Sequence, residues 1–415
     1  MKPEAKTPRR SILPNGLRVV SVRRPESPLA ALKLFFKVGS RHDGPHPGIA
    51  HFLEHLLFSN SKAHRREGVG QAVEATGGQV NAVTTREYTA LQAVVLAPYA
   101  EMIVQLFADL LDAGPFDPAL VERERQIILE EIGLNADSYQ IIWDLFLEAL
   151  WDGHPLARPV TGTPPSVSAL TAADLAAHWT RYLAADRIVL AAAGNVDHDA
   201  LTRLVAARLG SLKAGPALEN DETASMATPR RSAFLDKDTH QTQFVLGVET
   251  IGMGDPRRYA LRLLDIILGQ GASSRLHRVL RTERRLVYDV SSVLMSYADR
   301  GYFAVYTACA PRHTETVSAI ILDEFDRMRR GGVTGAELAA AKTNYEGSLA
   351  RNFETVLSVA SIIGIEELLH QIEPFDQTVS RIRQVTVEDL QRALEVVVSL
   401  DRYAIALVGR RQADA

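Results

Sequence analysis

Two histidines and a glutamate interrupt an otherwise apolar stretch near the N-terminus. The segment Gly48–Phe58 contains neither glycine nor proline after its first residue, which predicts a short buried helix. At about 3.6 residues per turn, His51 and His55 lie one turn apart on one face, and Glu54 borders that face. Burying these polar groups costs free energy unless an interaction offsets it, and coordination of a metal is one such interaction. Zn²⁺ takes imidazole and carboxylate ligands and, in catalytic sites, leaves one position open to water.

A third ligand must come from elsewhere in the chain. The order His-x-x-Glu-His is the reverse of the commoner zinc motif, but five residues can also occur by chance in a core or surface helix. A long helix predicted over Asp117–Leu134 offers acidic candidates. Glu131 and Glu124 are seven residues apart, so they share a face aligned with the apolar side. Glu122 and Glu130 are expected at the surface.

Composition excludes several classes of protein. The chain has 415 residues, is 46% hydrophobic and carries a net charge of -4, which indicates a soluble multidomain protein and gives no sign of nucleic-acid binding. Its single cysteine, Cys309, excludes an internal disulfide framework and a cysteine-based zinc site, and we expect it to be buried in a strand. No apolar run has the length of a signal peptide or membrane span. We therefore expect a cytoplasmic protein without a membrane partner.

The sequence also carries signs of an internal duplication. Thr171–Leu175 and Thr386–Leu390 share a capped helix start, and each copy continues with an Asp-Arg pair and an apolar strand at one constant offset. We therefore predict two homologous domains, 1–212 and 232–415, joined by an aperiodic linker over 213–231. The second domain contains no His-x-x-Glu-His motif, so any metal is expected in the first.

Short motifs that together resemble those of one protein family occur along the whole chain. They are Asn15–Arg18, Gly39–Arg41, His51–His55, Gly77–Thr89, Glu122–Glu131, His154–Leu156, Val160–Thr163, Ser274–Leu276, Arg281 and Tyr288. With them the chain resembles the zinc metallopeptidases of the pitrilysin, insulinase and mitochondrial processing peptidase family, in their short, single-chain bacterial type. The combination is far more specific than any one motif.

The resemblance implies a role for each candidate in the first domain. His51, His55 and Glu131 would bind one Zn²⁺ per chain. Glu54 would be the general base that activates the zinc-bound water, and Glu124 would be an acid that orients a ligating histidine. By the same register, Glu130 lies one residue away from the ligand position.

Other residues would contact the substrate. The resemblance assigns Arg281 and Tyr288, in the second domain, to the substrate or the developing oxyanion. Asn81 and Ala82 lie on a predicted strand that could offer its edge to an extended peptide. The chain departs from the family at Asp43, where Glu is usual, and at Ser59–Ser61, where Lys-Gly-Thr is common. We expect neither departure to touch the chemistry, although both could alter the loop beside the site.

The resemblance and the duplication imply an α+β fold, with two homologous α/β rolls that each have a mostly antiparallel sheet covered by helices. We expect a zinc endopeptidase that cleaves peptides, unfolded segments or leader segments inside a closed chamber. The chamber would form in a homodimer, or alternatively in a heterodimer with a related subunit. Two other functions stay open: a non-catalytic scaffold subunit, which the complete ligand set disfavours, and an enzyme dedicated to one leader peptide.

Overall fold

The computed structural model of the chain describes residues 7–59, 66–111, 116–134, 138–216, 231–397 and 402–410. The chain forms two compact units. Unit 1 comprises Met1–Leu134, Arg158–Asp221 and Arg351–Phe375, and unit 2 comprises Asn135–Ala157, Glu222–Ala350 and Asp376–Ala415. Most of the predicted linker, 217–230, lies outside the described residues. In the part of the chain that is described, no helix is long and apolar enough to cross a membrane.

The described residues form strands in both halves of the chain. They are β1 (Arg9–Ile12), β2 (Arg18–Arg23), β3 (Leu29–Phe36), β4 (Gln79–Thr84), β5 (Thr89–Leu96), β6 (Ile188–Gly194), β7 (Arg231–Asp236), β8 (Thr242–Ile251), β9 (Val287–Ser296), β10 (Arg300–Cys309) and β11 (Tyr403–Gly409). Cys309 ends β10 and is buried, as predicted.

The helices fill the connections between these strands. They are α1 (Ile49–Ser59), α2 (Arg66–Glu74), α3 (Ala100–Leu111), α4 (Pro118–Leu134), α5 (Ser138–Leu150), α6 (Pro164–Ala169), α7 (Ala172–Tyr182), α8 (His198–Leu209), α9 (Arg258–Gly269), α10 (Thr314–Arg329), α11 (Gly335–Asn352), α12 (Val356–Leu369), α13 (Phe375–Gln384) and α14 (Val387–Val397). A π-helical segment spans His277–Glu283.

The sheet of unit 1 has helices on both faces. Its strand order is β1-β2-β6-β3-β5-β4, and only the β2–β6 pair is parallel among its described strands. Strand β3 is buried almost throughout because Leu32 and Leu34 pack on the side of α3 and α8, while Ala31 and Phe35 pack beneath α12. Helix α12 approaches so closely that a Cβ at Gly364 would lie 2.1 Å from the Phe35 ring, which explains the glycine.

Unit 2 repeats this topology. Its sheet has the order β7-β11-β8-β10-β9, which matches unit 1 without β1. Helices α9, α10 and α14 cover one face, and α5 covers the other. The repeated cap is also present, because Thr171 with Asp174 and Thr386 with Asp389 exchange the same main-chain hydrogen bonds at the starts of α7 and α14. The predicted α+β fold of two homologous sheet-and-helix rolls is confirmed.

One feature of the units does not follow the order of the sequence. Helix α5, from the first half of the sequence, covers the sheet of unit 2, whereas α12, from the second half, covers the sheet of unit 1. Each half therefore supplies one helix to the unit built mainly by the other.

Candidate metal centre

Helix α1 is held at its start by a buried carboxylate. Asp43 accepts hydrogen bonds from the backbone amides of Gly48 (2.6 Å) and Ala50 (3.2 Å), so two of the amides that begin the helix are paired. The apolar side of the helix, including Ile49 and Phe52, packs into a core shared with α4, α6 and α7. The cap and the core fix the side of α1 that carries the histidines.

The three predicted ligands converge between α1 and α4. The Oε2 atom of Glu131 lies 3.8 Å from Nε2 of His51 and 3.4 Å from Nε2 of His55. One ligand atom from each residue lies within 4.8 Å of the other two, and no other such group of three occurs among the described residues. In a tetrahedral zinc site with bonds of about 2.0–2.1 Å, ligand atoms lie roughly 3.4 Å apart. The spacing fits Zn²⁺ with a fourth position left over.

The charges at this centre also suit a cation. Burial lowers the pKa of His55, but its contacts with the Glu124 and Glu131 carboxylates outweigh burial and raise that pKa to about 9. Burial, assisted by the neighbouring His55, lowers the pKa of His51 to about 4. The centre therefore attracts positive charge between its carboxylates while keeping one imidazole neutral, as a metal ligand must be.

A buried acid supports His55 from behind. Glu124 is fully buried, and its Oε2 faces Nδ1 of His55 at 3.6 Å. Its Oε1 accepts hydrogen bonds from Ser59 Oγ (2.8 Å) and the Arg123 guanidinium (3.2 Å). A carboxylate on Nδ1 favours the tautomer that leaves Nε2 for a metal.

Both departures from the family motif make hydrogen bonds near the candidate ligands, Asp43 to the start of α1 and Ser59 to Glu124. Ser59 was expected not to touch the chemistry, and its hydroxyl donates a hydrogen bond to Glu124, the acid behind His55. Asp43 was expected to affect the loop beside the site at most, and it caps the helix that carries the histidines. Asn60 and Ser61 lie outside the described residues. A single sequence does not indicate such contacts, because they join residues from different elements.

Glu54 is set apart from the ligand group. Its Oε2 accepts a hydrogen bond of 2.6 Å from the Thr84 hydroxyl on β4, and burial raises the pKa of its carboxyl. Glu54 also lines a small, mostly apolar cavity of about 20 Å³, with room for about one water. Glu54 can therefore act as a base without being a ligand. Glu130, the neighbour of Glu131, is exposed.

Strand β4 ends the sheet of unit 1 beside Glu54. Among the described strands it pairs only with β5, so its other edge carries main-chain groups available to a partner. Asn81 and Ala82 lie on this strand, and the Asn81 side-chain carbonyl accepts a hydrogen bond from the Ala82 amide at 2.9 Å.

Comparison with known proteins agrees with this geometry. Residues 18–164 match the family model described as insulinase (peptidase family M16), and residues 169–345 match the peptidase M16 inactive domain. An uncharacterized zinc protease of Mycobacterium tuberculosis is 38% identical over 411 residues, covering 98% of this chain and 94% of the relative. The chain belongs to peptidase family M16.

Other M16 relatives and solved structures extend the comparison. An uncharacterized zinc protease of Bacillus subtilis is 30% identical over 400 residues, covering 95% of this chain and 96% of the relative. A Helicobacter pylori protease has the same fold, with a TM-score of 0.91, 23% identity and coverage of 97% and 99% of the two chains. A structure described as the M16 inactive domain from Pseudomonas fluorescens has a TM-score of 0.90, 22% identity and coverage of 99% of both chains.

The two M16 candidates from the second half lie together in unit 2. Tyr288 is 78% exposed on the edge strand β9, and the Arg281 guanidinium lies 4.9 Å from the centre of its ring. Arg281 belongs to the π-helical segment, where it also lies 3.4 Å from Nε2 of His277. The pair forms an accessible cation–π contact that presents a guanidinium and a phenol to solvent.

Proposed function

We propose that this M16 protein is a zinc-dependent endopeptidase. The observation that carries the proposal is the convergence of His51, His55 and Glu131 beside a separate carboxylate, Glu54. Three protein ligands plus one open position are typical of catalytic zinc, whereas structural zinc sites are usually closed by four protein ligands. The uncharacterized relatives named zinc proteases support the same activity.

In this proposal each side chain has one task. When bound, Zn²⁺ supplies a Lewis acid that polarises a carbonyl and lowers the pKa of water to about 7. Glu54 accepts a proton from the attacking water and passes it to the leaving amine. Its raised pKa suits this exchange, because a carboxylate that holds a proton more readily can both accept it and return it. Glu124 keeps His55 oriented.

The substrate would be an extended peptide. The open edge of β4 at Asn81 and Ala82 offers main-chain hydrogen bonds, which give affinity with little demand on the peptide sequence. Arg281 and Tyr288 would contact the substrate or its developing oxyanion. Unfolded and leader segments fit this mode because no fold prevents their backbone from becoming extended. We further propose a homodimer that encloses the substrate; light scattering on the purified protein would test this.

The decisive experiment is to map cleavage products in a mixture of peptides by mass spectrometry. We expect cleavage by the zinc-loaded protein, loss with a chelator and recovery when zinc is restored, with Glu54→Gln as the blank. Many products would indicate a general peptidase, and one site in one substrate would indicate a dedicated processing enzyme. Absence of chelator-sensitive cleavage would overturn the proposal and favour a non-catalytic subunit of the same fold.

A further inference from the structure

The base of the proposed reaction is held by the strand that would bind the peptide. Thr84 is the last residue of β4, and its hydroxyl donates the 2.6 Å hydrogen bond to Glu54 Oε2. A hydroxyl has one proton to donate. When Glu54 is ionised, that proton is therefore committed to the carboxylate.

A second threonine packs against the first. Thr89 lies opposite Thr84 on β5, and the two hydroxyl oxygens are 3.3 Å apart. The Thr89 hydroxyl donates to the Val38 carbonyl at 3.0 Å and is buried. It therefore restricts the space open to the Thr84 hydroxyl without contacting Glu54 by a hydrogen bond. The Thr84 hydroxyl thus ties the Glu54 carboxylate to the end of the sheet, and the Thr89 hydroxyl packs against it without a hydrogen bond, because both protons are donated elsewhere.

We infer that Thr84 is a positioning residue that fixes the Glu54 carboxylate relative to the peptide-binding edge of β4. The inference rests on the proposed function, since it concerns the base of that reaction. A peptide pairing with β4 would order the same strand that holds the base. The position of the bound peptide and the orientation of the Glu54 carboxylate then both depend on β4. A shift of about 1 Å between reacting groups can lower the rate about 10²-fold.

The test compares two substitutions at Thr84. Thr84→Val keeps the β-branched shape and removes the hydroxyl, whereas Thr84→Ser keeps the hydroxyl. We expect Thr84→Val to lower kcat about 10- to 100-fold, the range for one hydrogen bond to a charged group, with little change in KM or zinc content. Thr84→Ser should recover kcat to within about threefold of the parent. A purely structural role would not distinguish the two in this way.

Coupling to Glu54 is tested by a double substitution. In a Glu54→Gln background, Thr84→Val should cause no further loss, because the group on which it acts is absent. A crystal structure of zinc-free Thr84→Val should show the Glu54 side chain displaced, and that of Thr84→Ser should not. Thr202→Val serves as the matched control, since among the described residues that hydroxyl bonds only the His198 carbonyl within its own helix, α8.

The outcomes separate this inference from the proposed function. Equal losses in Thr84→Val and Thr84→Ser, an undiminished effect in Glu54→Gln, or an unmoved Glu54 side chain would each overturn the positioning role. If the parent protein shows no chelator-sensitive cleavage, the proposed function fails, whereas a cleaving parent with a fully active Thr84→Val removes only the inference.

Discussion

The two units place the same kind of contact in the same part of their folds, but among the described residues only unit 1 adds a candidate metal centre. In unit 1 the acid Glu54 on α1 accepts a hydrogen bond from Thr84 on the edge strand β4. In unit 2 the buried acid Asp265 on α9 accepts one of 2.5 Å from Ser292 on the edge strand β9. Helices α1 and α9 both follow the second strand of the shared topology. A carboxylate held by an edge strand is thus common to both units.

What separates the units is a small set of side chains. Helix α1 adds His51 and His55, and α4 brings Glu131 to them. Aligning α4 with α11 from Leu120 and Leu338 places Leu349 opposite Glu131, so the second unit has no carboxylate there. The fold alone therefore does not make the centre. The candidate centre depends on three side chains, His51, His55 and Glu131, that unit 1 adds to the topology shared by both units.

The largest expected effect is on kcat, when Glu54 of unit 1 and Asp265 of unit 2 are each replaced by the corresponding amide. We expect Glu54→Gln to retain zinc and to lower kcat about 10²- to 10⁴-fold, because it removes the base and leaves the ligands. Asp265→Asn should leave kcat near that of the parent and lower the thermal midpoint instead, because it alters a buried hydrogen bond in unit 2. Peptide turnover, zinc content and thermal unfolding would be measured together. Similar activity losses in both variants would contradict the distinction between the units.

A second test concerns adjacent acids on α4. Glu131→Gln should weaken zinc affinity by about 10²-fold or more, since it removes a charged ligand. Glu130→Gln should bind zinc like the parent, because Glu130 is exposed. Competition with a chromophoric chelator would measure both affinities. The reverse pattern would place the ligand one residue away and remove the centre described for unit 1.

The smallest expected effect is the pH dependence of the stability of the metal-free protein. The pKa of His55 is raised to about 9, so in the metal-free protein its protonated form stabilises the fold. This contribution is complete below about pH 6.5 and is lost as the pH rises through about 9. The pKa of His51 is lowered to about 4, so proton uptake by the unfolded chain destabilises the fold as the pH falls from about 6.5 towards 4.

Zinc must replace the proton on His55. Its apparent affinity should therefore rise about tenfold per pH unit between about pH 6.5 and 9. Calorimetry in two buffers of different ionisation enthalpy should detect about one proton released per zinc near pH 7.5. Because the described residues contain no second cluster of this kind, the release belongs to unit 1. Binding without proton release would show that His55 is neutral before zinc arrives.

The ligand set was accessible from the sequence because it combines local spacing with a family motif. His51 and His55 are four residues apart on an apolar helix, and the caps at Thr171 and Thr386 mark the duplication directly. The contacts of Ser59 and Thr84 were not accessible in the same way. A hydroxyl in a helix or strand has many partners open to it, and only the packing of α1 against α4 and β4 selects one.

The packing of α5 on unit 2 and of α12 on unit 1 is a second feature that could not be predicted from the sequence. Helix α12 is apolar on nearly all sides, a pattern that predicts burial. Such a pattern shows that a helix needs a partner but does not identify which of two similar sheets provides it. The close fit of Gly364 over Phe35 selects the sheet of unit 1, and this fit involves residues more than 300 positions apart in the chain.

Helix α12 also affects the order of events during protein synthesis. The sheet of unit 1 draws its last strand from Ile188–Gly194, yet one of its faces stays uncovered until Leu369 has left the ribosome. Unit 2 waits for Tyr403–Gly409 to complete its own sheet. The apolar face of that sheet therefore lacks its covering helix until translation has passed Leu369, and exposed apolar surface of this kind favours aggregation.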